Sequence, residues 1–432
     1  MEAEISPELS SFRRVKVAPL VSPLLENGLL TPATGNRQRF NHLLVSSYMA
    51  GCAMSGMVGM ESILNGPEWS QRPGWDTRNQ SVGFGLAHGG LFSRLIEKKL
   101  TGDHAPLHPD LFTLARWLTL APANANWRAP VMRRLAGVMQ ENTLPLAIRV
   151  RAIAALVASG TPGVQTMLHQ LGTSSSAELR QVAALGSGLY YNEKIAGEKT
   201  TVDRLVADAT DMLVDPHPNV RRAACLALVA IGNQPALEAM ADALLTGDED
   251  LRRSAAEALA NHPEEGHPTL REGTTIEDLL VRRAVIYGLQ RVNQPWSIEA
   301  LQKVQLEEEE WLVKNAATHA LESMALPNPG LPRKLPPLTE TPWLIEFAGE
   351  MGIGVVPGKP AMDLLLKALQ GGNEERVLAA LDYLRQYGDE DAILPLYRLF
   401  YNNRGEIQEA ACNTLWHLAA SGVDLPPPEK FL

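Results

Sequence analysis

The sequence of this chain predicts an all-α fold, a right-handed α-solenoid of about twelve stacked helix pairs in one continuous array. Two observations predict it. An apolar residue recurs with small or apolar partners three, four and seven places later, and successive copies of this pattern begin about thirty residues apart. The first spacing places side chains on one face of a helix, and a repeat period of roughly 20–50 residues is typical of solenoids. The alternation that is typical of β-strands is scarce.

The period is most regular in the second half of the chain, where successive patterns begin 30 to 32 residues apart from Val220 onward. The two longest intervals coincide with insertions around Asn124–Asn126 and Glu193–Thr200. The residues that begin each copy are Tyr48, Val82, Leu111, Val150, Leu179, Val220, Leu251, Val281, Val313, Leu344, Arg376 and Ile407. Arg376 is an exception because it is not apolar, although the residues that follow it keep the apolar face.

One repeat shows how a helix pair is encoded. Pro218 stands where the first turn of a helix tolerates proline, and apolar spacing continues to Ile231 before Gly232 ends the helix. A second helix then carries an apolar face from Leu237 to Leu244. Each repeat therefore predicts two short antiparallel helices.

Composition shifts divide the chain into six parts. They are an N-terminal extension (1–40), atypical helical repeats or a cap (41–145), regular repeats (146–325), a proline-rich connector (326–342), C-terminal repeats (343–422) and a tail (423–432). Glycine, alanine and methionine at helical spacing before residue 100 predict helices that approach each other closely.

The residues of the regular part carry a resemblance. NVRRAACLALVAIGNQPALEAMADAL, residues 219–244, is similar to the HEAT-like repeat of the phycobilisome-lyase type, whose units read roughly D-x-x-V-R-x-x-A-x-x-A-L-x-x-I-G before a second helix. LRRSAAEALANH and LVRRAVIYGLQRV are similar. The resemblance is strong over 145–325 and weaker over 343–422. It implies the fold but not the function, because such repeats occur in enzymes, adaptors and chaperones alike.

Charge and cysteine usage narrow the function classes. A net charge of −10 with a pI near 5.6 argues against a general binder of nucleic-acid phosphates. Cys52, Cys225 and Cys412 show no paired spacing, so we expect reduced thiols and a cytoplasmic protein. Leu43 to Met60 is free of charge for eighteen residues, but its polar residues favour a packed solenoid helix over a membrane span.

Paired arginines recur one repeat apart near the start of three first helices, where they could form a ladder for an acidic or phosphorylated protein partner. The alternative is that they pair with carboxylates in neighbouring loops. The candidate ladder consists of Arg221, Arg222, Arg252, Arg253, Arg282 and Arg283.

Other motifs favour simpler interpretations. MGIGVVPGKP at 351–360 lacks the first glycine and the final hydroxyl residue of a phosphate loop, which predicts a turn between helices. The histidine-bearing loops DHAPLHPD (103–110) and NHPEEGHPTLRE (261–272) have no clear metal-ligand spacing. The run Glu307–Glu310 predicts a solvated helix start. We therefore predict no catalytic residue, no cofactor and no metal site.

The function predicted from these observations is a non-catalytic protein-binding scaffold or adaptor that presents an extended surface to protein partners. Two alternatives remain open: an enzyme-associated protein that resembles a phycobilin lyase subunit, and a solenoid that repairs nucleic acids.

Overall fold

The computed structural model describes residues 18–33, 38–64, 77–90, 92–102, 105–194, 199–325 and 335–428. Nearly all of their regular structure is helical, which confirms the all-α prediction. The described strands, β1 (Leu30–Pro32) and β2 (Gln38–Phe40), form one small antiparallel pair in which Leu30 faces Phe40. The chain divides into two compact units, Met1–Arg133 and Arg134–Leu432.

The described helices of the first unit are short. They are α1 (Ala18–Glu26), α2 (Leu43–Ser55), α3 (Met60–Leu64), α4 (Thr77–Ala87), α5 (Ser93–Thr101) and α6 (Pro109–Leu118); α7 (Arg128–Gln140) follows in the chain. Helices α2 and α4 pack closely against each other. A Cβ atom at Gly51 would lie 2.5 Å from Cβ of Phe84 and 2.8 Å from the backbone N of Gly85, so only glycine fits there.

The first thirteen residues of the uncharged segment Leu43–Met60 therefore form a packed helix, α2, that ends at Ser55, and Met60 begins α3. Among the described residues, no helix has the length and apolar character needed to cross a membrane. Tyr48 was expected to face the core, and this expectation is wrong: its side chain is exposed and its ring packs edge-on against Phe84 at 5.4 Å. Ser47 and Gly51 are buried in its place.

The regular part of the second unit consists of helix pairs. Its first helices are α8 (Leu146–Ala158), α10 (Ala177–Lys194), α12 (Pro218–Ile231), α14 (Glu249–Leu259), α16 (Leu279–Val292) and α18 (Trp311–Ala325). Its second helices are α9 (Gly163–Gly172), α11 (Lys199–Asp211), α13 (Gln234–Thr246), α15 (Gly266–Gly273) and α17 (Pro295–Glu307).

The first helices pack directly on one another in a row. Small residues permit this approach: Ala224 and Ala256 are fully buried, and a Cβ atom at Gly288 would lie 2.5 Å from the carbonyl oxygen of Ala256. The helix boundaries of the Val220 repeat are as predicted, because Pro218 starts α12 and Gly232 ends it in the left-handed conformation at φ 61°.

The C-terminal part contains α19 (Pro342–Glu350), α20 (Lys359–Ala368), α21 (Glu374–Tyr387), α22 (Ile393–Asn402) and α23 (Glu406–Ala420). Within it α21 packs against α23, and α22 against α23. Residues 326–334 of the connector lie outside the described residues.

Helix α23 also meets the beginning of α8, which departs from the chain-order stacking expected from the sequence. The backbone N–H of Leu146 donates to Oε1 of Glu409 at 2.8 Å, and Nε2 of Gln408 donates to the carbonyl of Thr143 at 2.9 Å. The guanidinium of Arg151 lies 3.9 Å from the ring centroid of Trp416. Helix α23 is thus a neighbour of the first regular repeat.

Candidate functional site

The first arginine of each pair is directed into the array. Nε and Nη2 of Arg282 donate to the two carboxylate oxygens of Glu308 at 2.8 and 3.1 Å, while Nη1 donates to the carbonyls of Ile276 and Glu277 at 2.9 and 2.8 Å. The side chains of Arg282 and Glu308 are only 14% and 12% exposed. The guanidinium holds the pKa of the Glu308 carboxyl below its usual range. This Arg282–Glu308 pair joins one repeat to the next.

Arg252 repeats this arrangement one helix pair earlier. Its Nε donates to the carbonyl of Gly247 and its Nη1 to Oδ2 of Asp278, both at 2.7 Å. The other carboxylate oxygen of Asp278 accepts the backbone N–H of Leu280 at 2.8 Å and so caps α16. Asp278 thus caps α16 and also accepts a hydrogen bond from the arginine of the preceding repeat. The Arg252 guanidinium holds the pKa of the Asp278 carboxyl below its usual value.

The same pattern extends to Arg221 and to an arginine that the sequence analysis missed. Nη2 of Arg221 lies 3.4 Å from Oδ2 of Asp248, which caps α14. Nε and Nη2 of Arg180 donate to Asp215 at 2.6 and 3.0 Å. Among the candidate ladder residues, Arg221, Arg252 and Arg282 are therefore largely enclosed by partners from their own array.

Two of the second arginines, Arg222 and Arg253, lie on the surface and converge on one buried carboxylate. Nη2 of Arg222 donates to Oε2 of Glu257 at 2.9 Å, and Nε of Arg253 donates to Oε1 at 2.9 Å. Nη2 of Arg291, a residue that the sequence analysis missed, lies 3.0 Å from Oε2. The three arginines come from α12, α14 and α16 and are 52%, 53% and 52% exposed, whereas the Glu257 side chain is 9% exposed.

An aromatic ring completes this site. The guanidinium carbon of Arg253 lies 4.2 Å from the ring centroid of Tyr287 on α16, a geometry that favours attraction between the cation and the ring face. The hydrogen bond from Arg253 to Glu257 raises the pKa of that arginine, with a further contribution from Asp250. We call Arg222, Arg253, Glu257, Tyr287 and Arg291 the Glu257 cluster. Its three guanidinium groups leave it with a net positive charge.

Arg283, the remaining ladder residue, lies apart from the cluster. Its Nη1 donates to Oε1 of Glu249 at 2.6 Å, and that glutamate side chain is 64% exposed. The structure therefore brings together two of the six candidate arginines, adds Arg291, and leaves Arg283 in a separate surface pair.

The run Glu307–Glu310 was expected to be solvated, and for Glu308 this is wrong because Arg282 of the preceding repeat encloses its carboxylate. MGIGVVPGKP forms the turn between α19 and α20, where Gly352 and Gly358 adopt positive φ, and supplies the first two residues of α20.

Two histidines of the second histidine-bearing loop contact nearby residues of the chain. Nδ1 of His262 accepts the backbone N–H of Glu265 at 3.2 Å, and the ring of His267 lies 5.3 Å from that of Trp296. His104 lies outside the described residues. In the part of the chain that the structure describes, no three His, Cys, Asp or Glu side chains are grouped to hold a metal ion.

Comparison with known proteins agrees with this architecture. Residues 194–260 and 247–322 match a family model described as HEAT repeats, so the chain contains HEAT repeats, as the sequence predicted. Among curated proteins none matches the chain.

Three solved structures are similar to this chain at low sequence identity and low TM-score. Human deoxyhypusine hydroxylase is 18% identical, with 66% of this chain and 97% of that chain covered, at a TM-score of 0.24. The complex of CpcE and CpcF of phycocyanin lyase from Nostoc sp. PCC7120 is 19% identical, with 60% and 88% covered, at 0.25. YibA of Escherichia coli is 13% identical, with 66% and 99% covered, at 0.29. Similarities at this level say nothing about function.

Proposed function

We propose that this HEAT-repeat protein is a non-catalytic scaffold that binds a protein partner, and that the Glu257 cluster holds an acidic or phosphorylated segment of that partner. The observation that carries the proposal is the convergence of three half-exposed arginines from three successive first helices on one buried carboxylate. Each helix belongs to a different repeat, so stacking of the repeats assembles the site.

The buried carboxylate prepares the arginines for binding. Each guanidinium has five N–H donors in a rigid fork, and the contact with Glu257 uses only part of them. The three side chains are about half exposed, so they are accessible to a ligand from solvent. Because Glu257 already restricts the side chains, a carboxylate or phosphate gains charge-assisted hydrogen bonds at a reduced cost in side-chain entropy. Arginine groups of this kind are a common means of recognising acidic and phosphorylated motifs.

The test is a double substitution, Arg222→Gln with Arg291→Gln, which leaves Arg253 to neutralise Glu257 from the same helix. Tagged wild-type protein and variant are cross-linked in a lysate of the source organism, and the captured proteins are quantified by mass spectrometry. We expect at least one abundant partner of the wild type to be recovered roughly tenfold less with the variant, because each arginine contact with an anion contributes on the order of 1 kcal/mol or more.

The matched control replaces two exposed arginines outside the cluster, Arg204→Gln with Arg404→Gln, and removes the same charge. The control is expected to recover the same partners as the wild type within about a factor of two. Thermal denaturation of all three proteins checks that the fold is retained. Equal recovery by the cluster variant and the wild type would refute the proposed role of the cluster.

A further inference from the structure

A groove lies on the other layer of the array, between the second helices α11 and α13. Its volume is about 680 Å³, and the short helical turn Met212–Val214 forms part of its wall. The floor is apolar and consists of the buried side chains of Val206, Leu213, Ala243 and Leu251. Val214, at the edge, is 84% exposed, so apolar surface of the groove is left open to solvent.

The rim of the groove is acidic. Asp203 and Asp211 of α11 and Glu238 and Asp242 of α13 all line it, all are exposed, and the lining contains no Lys, Arg or His. None of these four carboxylates forms an ion pair with the residues that the structure describes; Glu238 accepts one hydrogen bond from Nε2 of Gln234 at 2.9 Å. They differ in this from Asp215, Asp248 and Asp278, which meet arginines of the array.

The acidic surface continues toward the next repeat. A smaller cavity of about 150 Å³ lies between α13 and α15, and it shares Glu238 with the groove and adds Glu265. An apolar floor between rows of unpaired negative charge is complementary to a helix with an apolar face and basic flanks.

We propose that this groove binds a basic amphipathic helix of a protein partner. The partner helix lays apolar side chains at positions i, i+4 and i+7 on the floor, while lysines or arginines beside them meet the four carboxylates. The lengths agree: α11 and α13 have 13 residues each and are therefore about 20 Å long, whereas positions i to i+7 of a bound helix span about 11 Å. This site is independent of the Glu257 cluster, which lies on the first helices and carries the opposite charge.

The test uses a fluorescein-labelled helical peptide of about 18 residues, with leucines on one face and lysines beside them. Its binding to the full chain is measured by fluorescence anisotropy at physiological ionic strength. The triple variant Asp203→Asn, Asp211→Asn and Asp242→Asn removes exposed charges without an ion-pair partner, so its fold is expected to persist. We expect the triple variant to bind the peptide about tenfold more weakly, the sum of three modest charge contacts.

The control variant removes the same charge from three exposed acids of other helices, Glu272→Gln on α15, Glu299→Gln on α17 and Asp363→Asn on α20. It is expected to bind within about twofold of the wild type, and an analogue of the peptide with glutamate in place of lysine is expected not to bind. Equal weakening by both triple variants would show binding to overall charge and overturn the proposal. If the wild type dimerises with increasing concentration and the groove variant alone does not, the groove binds a second copy of this chain. That result would also overturn the proposal.

Discussion

Replacing Arg282 with glutamine tests whether the first arginines hold neighbouring repeats together. The substitution removes four hydrogen bonds, two of them to the carboxylate of Glu308 and two to the carbonyls of Ile276 and Glu277. It leaves a carboxylate that is only 12% exposed without its cation. Loss of a partner by such a group costs about 1–3 kcal/mol, and we expect the free energy of unfolding to fall by about 2 kcal/mol.

The assay is urea denaturation followed by far-ultraviolet circular dichroism, with Arg283→Gln as the matched control. Arg283 is adjacent in sequence and also pairs with a glutamate, but Glu249 is exposed, so the control should change the free energy of unfolding by less than about 1 kcal/mol. Equal losses in the two variants would refute the distinction between the first and second arginines.

The pH dependence supplies an independent check. Because Arg282 lowers the pKa of Glu308 in the folded protein, this pair contributes stability above the ordinary carboxyl pKa. That contribution is lost as the pH falls through the lowered pKa. The difference in stability between the wild type and Arg282→Gln should therefore be largest near neutral pH and shrink in acid. A difference that stays constant down to about pH 3 would contradict the argument.

Two further predictions concern packing and burial. Gly288→Ala places a Cβ atom 2.5 Å from the carbonyl oxygen of Ala256 and should lower the free energy of unfolding by about 1–3 kcal/mol in urea denaturation. In the control Gly137→Ala the added Cβ atom meets no atom within 4 Å, so the free energy of unfolding should not fall. Glu409→Gln keeps an acceptor for the Leu146 N–H but removes a carboxylate whose pKa is raised by burial. The variant should therefore have a higher melting temperature than the wild type at neutral pH. That advantage should disappear as the pH falls through the raised pKa, and a lower melting temperature at neutral pH would contradict it.

The sequence predicted the interior of the regular repeats well. Val220, Ala224 and Leu228 are fully buried, because spacing of three, four and seven residues fixes which face of a helix is apolar whatever lies against it. The buried face was harder to predict where small and apolar residues occur all around a helix. Tyr48 is the example, because its neighbours Ser47 and Gly51 are small enough to lie on the buried face instead.

The arginine site was only partly predictable. Adjacent arginines such as Arg252 and Arg253 differ by about 100° around the helix, so one faces the next repeat and the other faces solvent. The sequence shows the pair but not the partner, because Asp278 lies 26 residues after Arg252 and many carboxylates lie at similar separations. Arg291 belongs to no repeated motif, and its contact with Glu257 appears only when α14 and α16 are stacked.

The position of α23 indicates which contacts determine the order in which the repeats stack. Apolar faces of nearly equal shape do not determine which repeat lies next to which. Helix α8 begins after Pro145, which offers no side chain to cap it, and the N–H of Leu146 is instead satisfied by Glu409 of α23. Gln408 of the same helix donates to the carbonyl of Thr143. An N–H that is shielded from water without gaining an acceptor is costly, so these part-buried polar contacts favour α23 as the neighbour of α8, which periodic apolar residues do not specify.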